Sequence, residues 1–413
     1  MASDSDQPPP KRRWQPAAAP SLTTILDLEE NLLLEIFLRL PSLPTLVRAA
    51  LACRPFLAAV RASPAFRRRF RARRPLPLLG FFFESSGLDI PHFTPLRRRA
   101  DPDLAAAVRG ADVFLTRLPA ADDASPGWEI EECHAGYALL INRSTDQLAA
   151  YNPLTRALHL LPMPPAQISA ARRGKLSGKS FFVLSSDEAP GSFRVVSFCH
   201  DRARARAAVF SSATAQWQIL PWSEPCPAPQ PGKRNRFAWG RHVSGNLYWP
   251  HAKKAYQVVL DTAALQFSFI DLPEQLKGRN DLFMTGETKD GELCIVSAVG
   301  FKLYLWFRTA DAEGVEKWAI DDVIPLEREI LQATADSDED EDDVGLKIKV
   351  CAVLEGTVYF TTLRARAYAP CWFLSFCLET RKLEKLFHRT FYNAVYPYIM
   401  AWPPALVGNQ VSP

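Results

Sequence analysis

Catalysis needs a nucleophile, an acid–base pair or a metal held by neighbouring side chains, and such sets leave spacing patterns in a sequence. This 413-residue chain offers few of them. Its seven histidines, His92, His134, His159, His200, His242, His251 and His388, stand singly. Lone histidines in loops are ordinarily polar surface, though one or two of these can meet once the chain folds. The eight cysteines, Cys53, Cys133, Cys199, Cys226, Cys294, Cys351, Cys371 and Cys377, form no Cys-x-x-Cys pair and no zinc spacing. Buried free thiols in a reducing compartment are expected. Gly-x-Gly-x-x-Gly, P-loop, Gly-x-Ser-x-Gly and His-Glu-x-x-His motifs are all missing. The acidic run Asp336–Asp343, DSDEDEDD, lacks the glycine and the terminal glutamate of an EF-hand loop, and a solvated insertion is expected there. No catalytic residue, metal site or cofactor is assigned, which leaves binding as the expected chemistry.

Charge narrows the kind of partner. The net charge is only +4, but Arg67–Arg74 reads RRRFRARR and Arg97–Arg99 adds a second basic cluster. Such a run can meet phosphate. It can equally be solvated surface, or a cap on helix C-terminal carbonyls, the reading preferred here because a helix is due to end nearby. Lys11-Arg12-Arg13 is weak evidence for nuclear import. The 47% hydrophobic and 23% charged content is that of a globular protein. No apolar run approaches the roughly 20 residues of a membrane span, and the N-terminus lacks the apolar core of a secretory signal. An intracellular protein of cytoplasm or nucleus, with no membrane or nucleic-acid partner, is expected.

The binding elements begin at Asp27. Leu28, Leu32, Leu33, Ile36, Phe37 and Leu40 recur at helical spacing as one broad apolar stripe. Asp27 and Glu30 suit a capping box, and Pro41 and Pro44 stop the helix. A second helix carries Leu46, Val47, Ala50, Leu51 and Cys53, and Pro55 opens a short third with Phe56, Leu57 and Val60. Three helices in about 40 residues cannot easily bury a core alone, so so wide a stripe wants a partner surface.

This stretch resembles the F-box, which docks substrate receptors onto Skp1 in cullin-based ubiquitin ligases. Leu28, Leu32-Leu33, Ile36-Phe37 and Leu40-Pro41 match its first helix, Cys53-Arg54-Pro55-Phe56 its Cys-x-x-Trp, and Ser63-Pro64-Ala65-Phe66 its closing phrase. Glu29 stands where the family has proline, and Phe56 where it has tryptophan. The resemblance implies a Skp1-binding set of Leu28, Leu32, Leu33, Ile36, Phe37, Leu40, Pro41, Leu46, Cys53 and Phe56, with cullin reached through Skp1. The alternative is a plain three-helix cap on a larger domain.

Beyond Pro75 the pattern turns extended. Leu78–Phe83 is a compact run suited to a buried strand, expected to pair near the C-terminal strands and close a ring. Residues 91–126 read as loop with one short helix, and strands near 78–84 and 112–118 with the tail near 391–402 are expected to complete a sixth blade. From 127 the chain repeats a phrase about every 50 residues, the scale of a propeller blade. Each unit has apolar stretches, turns and a closing Leu-Pro or its equivalent, as at Leu161-Pro162, Leu220-Pro221 and Leu272-Pro273. Cys371–Cys377 is apolar on both faces, as stacked blades require. Glycines at 245, 291 and 356 are read as turns before inner strands, and Trp217 and Trp318 as fillers between blades. A β-sandwich, the competing architecture, would need fewer and less similar units.

Tyr151-Asn152-Pro153-Leu154-Thr155-Arg156 and Gly245-Asn246-Leu247-Tyr248-Trp249 with Leu260-Asp261-Thr262 resemble the kelch-like F-box-associated β-propellers common in plants. The resemblance implies an α+β multidomain chain. A tail without fixed structure covers 1–21, a three-helix F-box 22–70, and an all-β propeller of about six blades 76–407, with a disordered acidic loop at 334–344. It implies a non-catalytic adaptor of a Skp1–cullin–F-box ligase that binds an unknown target protein. The runner-up is a propeller scaffold unconnected with a ligase.

Overall fold

Four helices open the chain, one more than the apolar spacing predicts. A computed structural model describes residues 25, 28–74, 76–84, 90–96, 102–119, 127–173, 177–185, 192–201, 204–224, 237, 240–251, 256–277, 283–310, 316–334, 347–363, 370–390 and 394–407. The tail 1–21, the arginines at 97–99, Cys226 and the acidic loop from 335 onward lie outside these residues.

Helix α1 (Glu30–Phe37) starts from Glu29, whose side chain does not cap it; the expected capping box involves Asp27, which lies outside the described residues. Helix α2 (Leu43–Leu51) is capped by Ser42, whose Oγ accepts from the Thr45 amide at 3.4 Å. Helix α3 (Arg54–Ala62) follows Cys53 with Pro55 in its first turn. Ser63 then caps α4 (Pro64–Arg73) by accepting from the Phe66 amide at 3.2 Å, so the closing Ser-Pro-x-Phe phrase is a helix start. The basic run therefore rides on a helix of its own.

The remaining strands make six antiparallel sheets. β1 (Leu78–Phe83) and β2 (His92–Pro95) come first, then helix α5 (Pro102–Gly110). Next are β3 (Trp128–His134), β4 (Tyr137–Asn142), β5 (Gln147–Asn152) and β6 (Ala157–Leu161). β7 (Ser177–Ser185), β8 (Phe193–His200), β9 (Ala205–Ser211) and β10 (Gln216–Ile219) form another sheet. The sheet after it comprises β11 (Arg241–Val243), β12 (Asn246–Pro250), β13 (Tyr256–Asp261) and β14 (Gln266–Asp271). β15 (Phe283–Glu287), β16 (Leu293–Val299), β17 (Lys302–Ala310) and β18 (Glu316–Pro325) precede helix α6 (Glu327–Thr334). β19 (Lys347–Leu354), β20 (Thr357–Leu363), β21 (Pro370–Cys377) and β22 (Leu383–Thr390) complete the four-stranded sheets, and β23 (Val395–Ile399) joins the first pair in the order β2-β1-β23. The result is a six-bladed propeller, with the first strand of each four-stranded blade, and β23 of the three-stranded one, nearest the axis.

The closing blade is built from both ends of the chain. Phe81 pairs with Pro397, and Phe83 with Val395. Alternation along β1 sends Phe81 and Phe83 against Tyr359 and Phe373 of the preceding blade, at ring separations of 5.5 and 5.2 Å. Phe82 points the other way, onto Tyr398 at 5.6 Å. Each such ring, fully buried, contributes about 2 kcal/mol.

Three readings need correction. Residues 112–118 form a turn, not a strand: buried Asp112 accepts from the Thr116 amide at 3.0 Å and from the Tyr151 hydroxyl, and Leu115 has φ 54°. The partner strand is β2, in a segment read as loop, where the expected short helix α5 is found. The recurrent glycines precede the second strand of a blade rather than the innermost. At Ala135-Gly136, Ser244-Gly245 and Glu355-Gly356 both residues have positive φ, as a type I′ hairpin turn demands. Other turns are fixed by Asx side chains, with Asn152 Oδ1 accepting from Leu154 and Thr155 amides at 3.1 Å. Trp217 and Trp318 do bridge blades, donating from Nε1 to Pro162 O at 3.0 Å and Asp271 O at 2.6 Å, in the closing phrases of the preceding blades.

Helices and propeller are not cleanly separable. Trp402, Leu406 and Val407 sit in the helical core with Leu33, Phe37, Leu46, Val60 and Phe70. Trp402 meets Phe70 edge-on at 6.1 Å. Deleting residues 1–70 should therefore expose this apolar tail and lower solubility, and also deleting 402–413 should restore it. Equal solubility and melting of the two truncated chains would show that the tail contact is inconsequential.

Candidate functional site

The ten residues of the docking set divide by burial. Leu33, Phe37, Leu46 and Phe56 are buried in the helical core, joined there by Leu34 and Leu38. Phe56 meets Phe37 edge-on at 5.4 Å, so the ring replacing tryptophan serves packing. Leu28, Leu40 and Cys53 are half-buried, and Pro41 is exposed. Leu32 and Ile36, one turn apart on α1, are 52% and 37% exposed. A stripe too wide for one core thus leaves two large aliphatic side chains facing outward. Helical spacing alone gives no sign of which pair that will be.

The basic run is mostly occupied. Arg67 is buried and donates to the carbonyls of Val60 and Arg61 at 3.2 and 2.7 Å, closing the last turn of α3. Arg74 Nε donates to Leu40 O at 3.3 Å, Arg69 pairs with Glu35 at 2.7 Å, and Arg71 lies over Trp402. Arg67 and Arg74 thus act on chain carbonyls at helix ends, as the helix-capping reading of the run expects, while Arg68, Arg69 and Arg73 are exposed.

A second cluster lies along the propeller axis. His134, at the end of β3, and His242, in the middle of β11, meet with Nδ1 atoms 3.1 Å apart and ring centroids at 4.0 Å. Burial holds both well below the usual histidine pKa, His242 at about 4. One ring must be a neutral donor and the other a neutral acceptor, so the pair excludes a proton. Glu132 keeps some surface toward the channel yet lies deep in the ring, and burial pushes its pKa up to about 8. The Val183 amide donates to it at 2.7 Å, and the Arg241 charge partly offsets the shift. Burial also raises the neighbouring Cys133 thiol well above its ordinary range.

The expectation that one or two of the lone histidines can meet is met by His134 and His242, while His200 and His251 are buried rather than on the surface. One signal was available: His134 and His242 each stand two or three residues before a turn glycine of the repeat. Nothing in spacing pairs Glu132 with Arg241, over a hundred residues away. The seven described cysteines are free, four of them buried. Among the described residues no group of three or more His, Cys, Asp or Glu is arranged to hold a metal ion, and no helix is long and apolar enough to cross a membrane.

The N-terminal helices and the closed ring define a six-bladed β-propeller protein with an N-terminal helical unit. The chain belongs to the family described as "F-box protein AT5G49610-like, beta-propeller", whose model matches residues 129–406. No curated protein matches the chain significantly. Among solved structures it is similar to YCF48 from Cyanidioschyzon merolae, with 12% identity, TM-score 0.37, and 75% of this chain and 86% of that one covered. It is also similar to a chain of a nidogen/laminin complex, with 13% identity, TM-score 0.35, and 78% and 99% covered. A putative exported protein of Bacteroides fragilis matches with 12% identity, TM-score 0.30, and 62% and 69% covered. No function is drawn from superpositions this loose.

The Glu132 carboxyl has a consequence for stability. It binds its proton more tightly in the fold than in the unfolded chain, where the pKa is 4.5. Its contribution is complete below that value and is lost as pH rises toward 8, at about 1.4 kcal/mol per unit. The histidine pair acts oppositely, losing stability as pH falls below 6.5. Glu132→Gln keeps an acceptor for the Val183 amide but cannot ionise. The variant should out-melt the wild type by a margin that widens from pH 5 to 8 and then levels. A margin independent of pH would contradict the buried-acid assignment.

Proposed function

We propose that this chain is a non-catalytic substrate-recognition subunit of a Skp1–cullin–F-box ubiquitin ligase. In this reading α1 docks a Skp1-like protein, cullin is reached through it, and the propeller holds a target protein for ubiquitination in the cytoplasm or nucleus. Membership of an F-box-protein propeller family supports it. The observation that carries it is the pair Leu32 and Ile36, large aliphatic side chains left outside a well-packed helical core. Exposed apolar side chains on a helix whose other face is already buried are suited to an apolar partner groove.

The burial split makes the test clean. Leu32→Asp with Ile36→Asp should abolish capture of Skp1, because each carboxylate buried without a partner costs several kcal/mol at the interface. Both positions are exposed in the free chain, so melting should move by no more than about 2 °C. Phe37→Asp, by contrast, should unfold the helices and would be undiagnostic. Undiminished capture by the double variant, or no capture by the wild type, would remove the ligase reading.

Glu29 offers a second check. Its φ of −58° and ψ of 143° already suit proline, the residue the F-box pattern has there. Glu29→Pro should stabilise the helical unit by about 0.4–1 kcal/mol through the unfolded chain and leave Skp1 capture intact or stronger. A loss of stability would mean the start of α1 is not shaped as an F-box start.

A further inference from the structure

The inner strands carry a half-buried cation that makes no ion pair among the described residues, though the Glu132 carboxyl attracts it. Arg241 opens β11, and its Nε donates to Met284 Sδ at 3.4 Å. Among the described residues its two terminal nitrogens have no hydrogen bond and no ion pair. Arg241 lines a cavity of about 240 Å³ whose walls include Phe182, Phe198, Phe237, Trp249 and Tyr396. Trp249 forms the wall beside it. Trp249 is 1% exposed and its Nε1 has no partner. That atom lies against Gly240, where an added Cβ would come within 2.5 Å of it, so the unpaired indole N–H and the guanidinium flank one short stretch of backbone.

The acids on the same wall are already engaged. Arg143 bonds Glu129 at 2.6 Å and Glu131 at 3.0 Å. Glu131 also accepts from the Phe181 backbone, and Glu84 has a partner of its own. The donor left over is the half-buried Arg241 guanidinium, facing an aromatic enclosure. A planar carboxylate is the ion that a guanidinium fork matches best.

We propose that this cavity binds the carboxylate of a small aromatic or apolar acid, with the Arg241 guanidinium pairing to its oxygens and the aromatic walls holding its apolar body. The volume suits about one amino-acid-sized body, slightly below the range of drug-sized sites. Two sources share this chemistry: a free aromatic acid, and the C-terminal residue of a peptide. The cavity lies toward the end of the inner strands marked by Glu129, Ser180 and Gly240, away from the helices. Its biological meaning as a target-recognition site rests on the proposed ligase role, but binding itself does not.

The test uses the full chain and two probes, N-acetylphenylalanine and its amide, followed by calorimetry and thermal shift. The acid should bind and raise the melting temperature, and the amide should bind about tenfold or more weakly. Arg241→Met keeps the side-chain volume and removes an unpaired charge, so it should fold and lose acid binding. Arg241→Lys keeps the charge without the fork and should retain weakened binding. A short peptide ending in phenylalanine, compared with its amidated form, then assigns the source: binding of the free-ended peptide points to a chain terminus, and its exclusion points to a small acid. Equal binding of acid and amide, no binding of either, or wild-type acid binding by Arg241→Met would overturn the proposal. Skp1 capture by the same preparations is a separate readout, so loss of one reading is distinguishable from loss of the other.

Discussion

The pairing of β1 with β23 is the contact on which the remaining architecture depends. It joins residues 78–83 to residues 395–399 and so closes a loop of roughly 300 residues, whose entropy must be met before the contact rewards it. Until it forms, two blades have open edges. The alternating Phe81, Phe82 and Phe83 explain how one short strand can close the ring. Two rings face the blade behind and one faces the blade ahead, and all three are almost fully buried. The chain continues from this contact straight into the helices: the Met400 amide donates to Pro77 O at 3.0 Å, and Trp402 enters the helical core two residues later. Ring closure and the seating of the helices are therefore one structural event.

That coupling explains what could be read from the chain and what could not. The five continuous blades were legible because every strand in them pairs with its sequence neighbour, and the turns between demand particular residues. The X-Gly pairs with positive φ and the Asx turns at Asn152 and Asp261 recur at offsets that any reader of the sequence can find. The closing blade has no such local grammar. Its strands come from opposite ends, and β2, four residues of mixed polarity, carries no periodic signal. The turn at 112–118 looked like a strand because Val113, Phe114 and Leu115 are apolar. It is held as a turn by a carboxylate whose partner Tyr151 lies in another strand.

The helical stripe shows the same limit on a smaller scale. Leu32 and Ile36 are spaced identically to Leu33 and Phe37, four residues apart, and rotated by one position around the helix. Which pair turns inward is decided by where Phe56, Phe70 and Trp402 lie, and those contacts are long-range. Sequence patterning found the helix and its apolar character. Only packing separates the side chains that hold the unit together from those available to a partner.

The ends of the inner strands divide the molecule's labour. The turn at Gly136 lies against Ala401, close to where Trp402 leaves for the helices, and the Glu355 turn borders a cleft shared with Pro41–Pro44. Both turns are at the finish of an innermost strand. Glu129 and Ser180, in the first half of β3 and β7, and Gly240, just before β11, line the cavity instead. Because the blades surround one axis, a partner on the helices and a ligand in the cavity approach from opposite ends and do not compete for surface. The strands between them carry Glu132 and the histidine pair, polar groups held neutral by burial rather than by opposing charges. The inner wall also carries the Arg241 guanidinium, on the side the helices leave free.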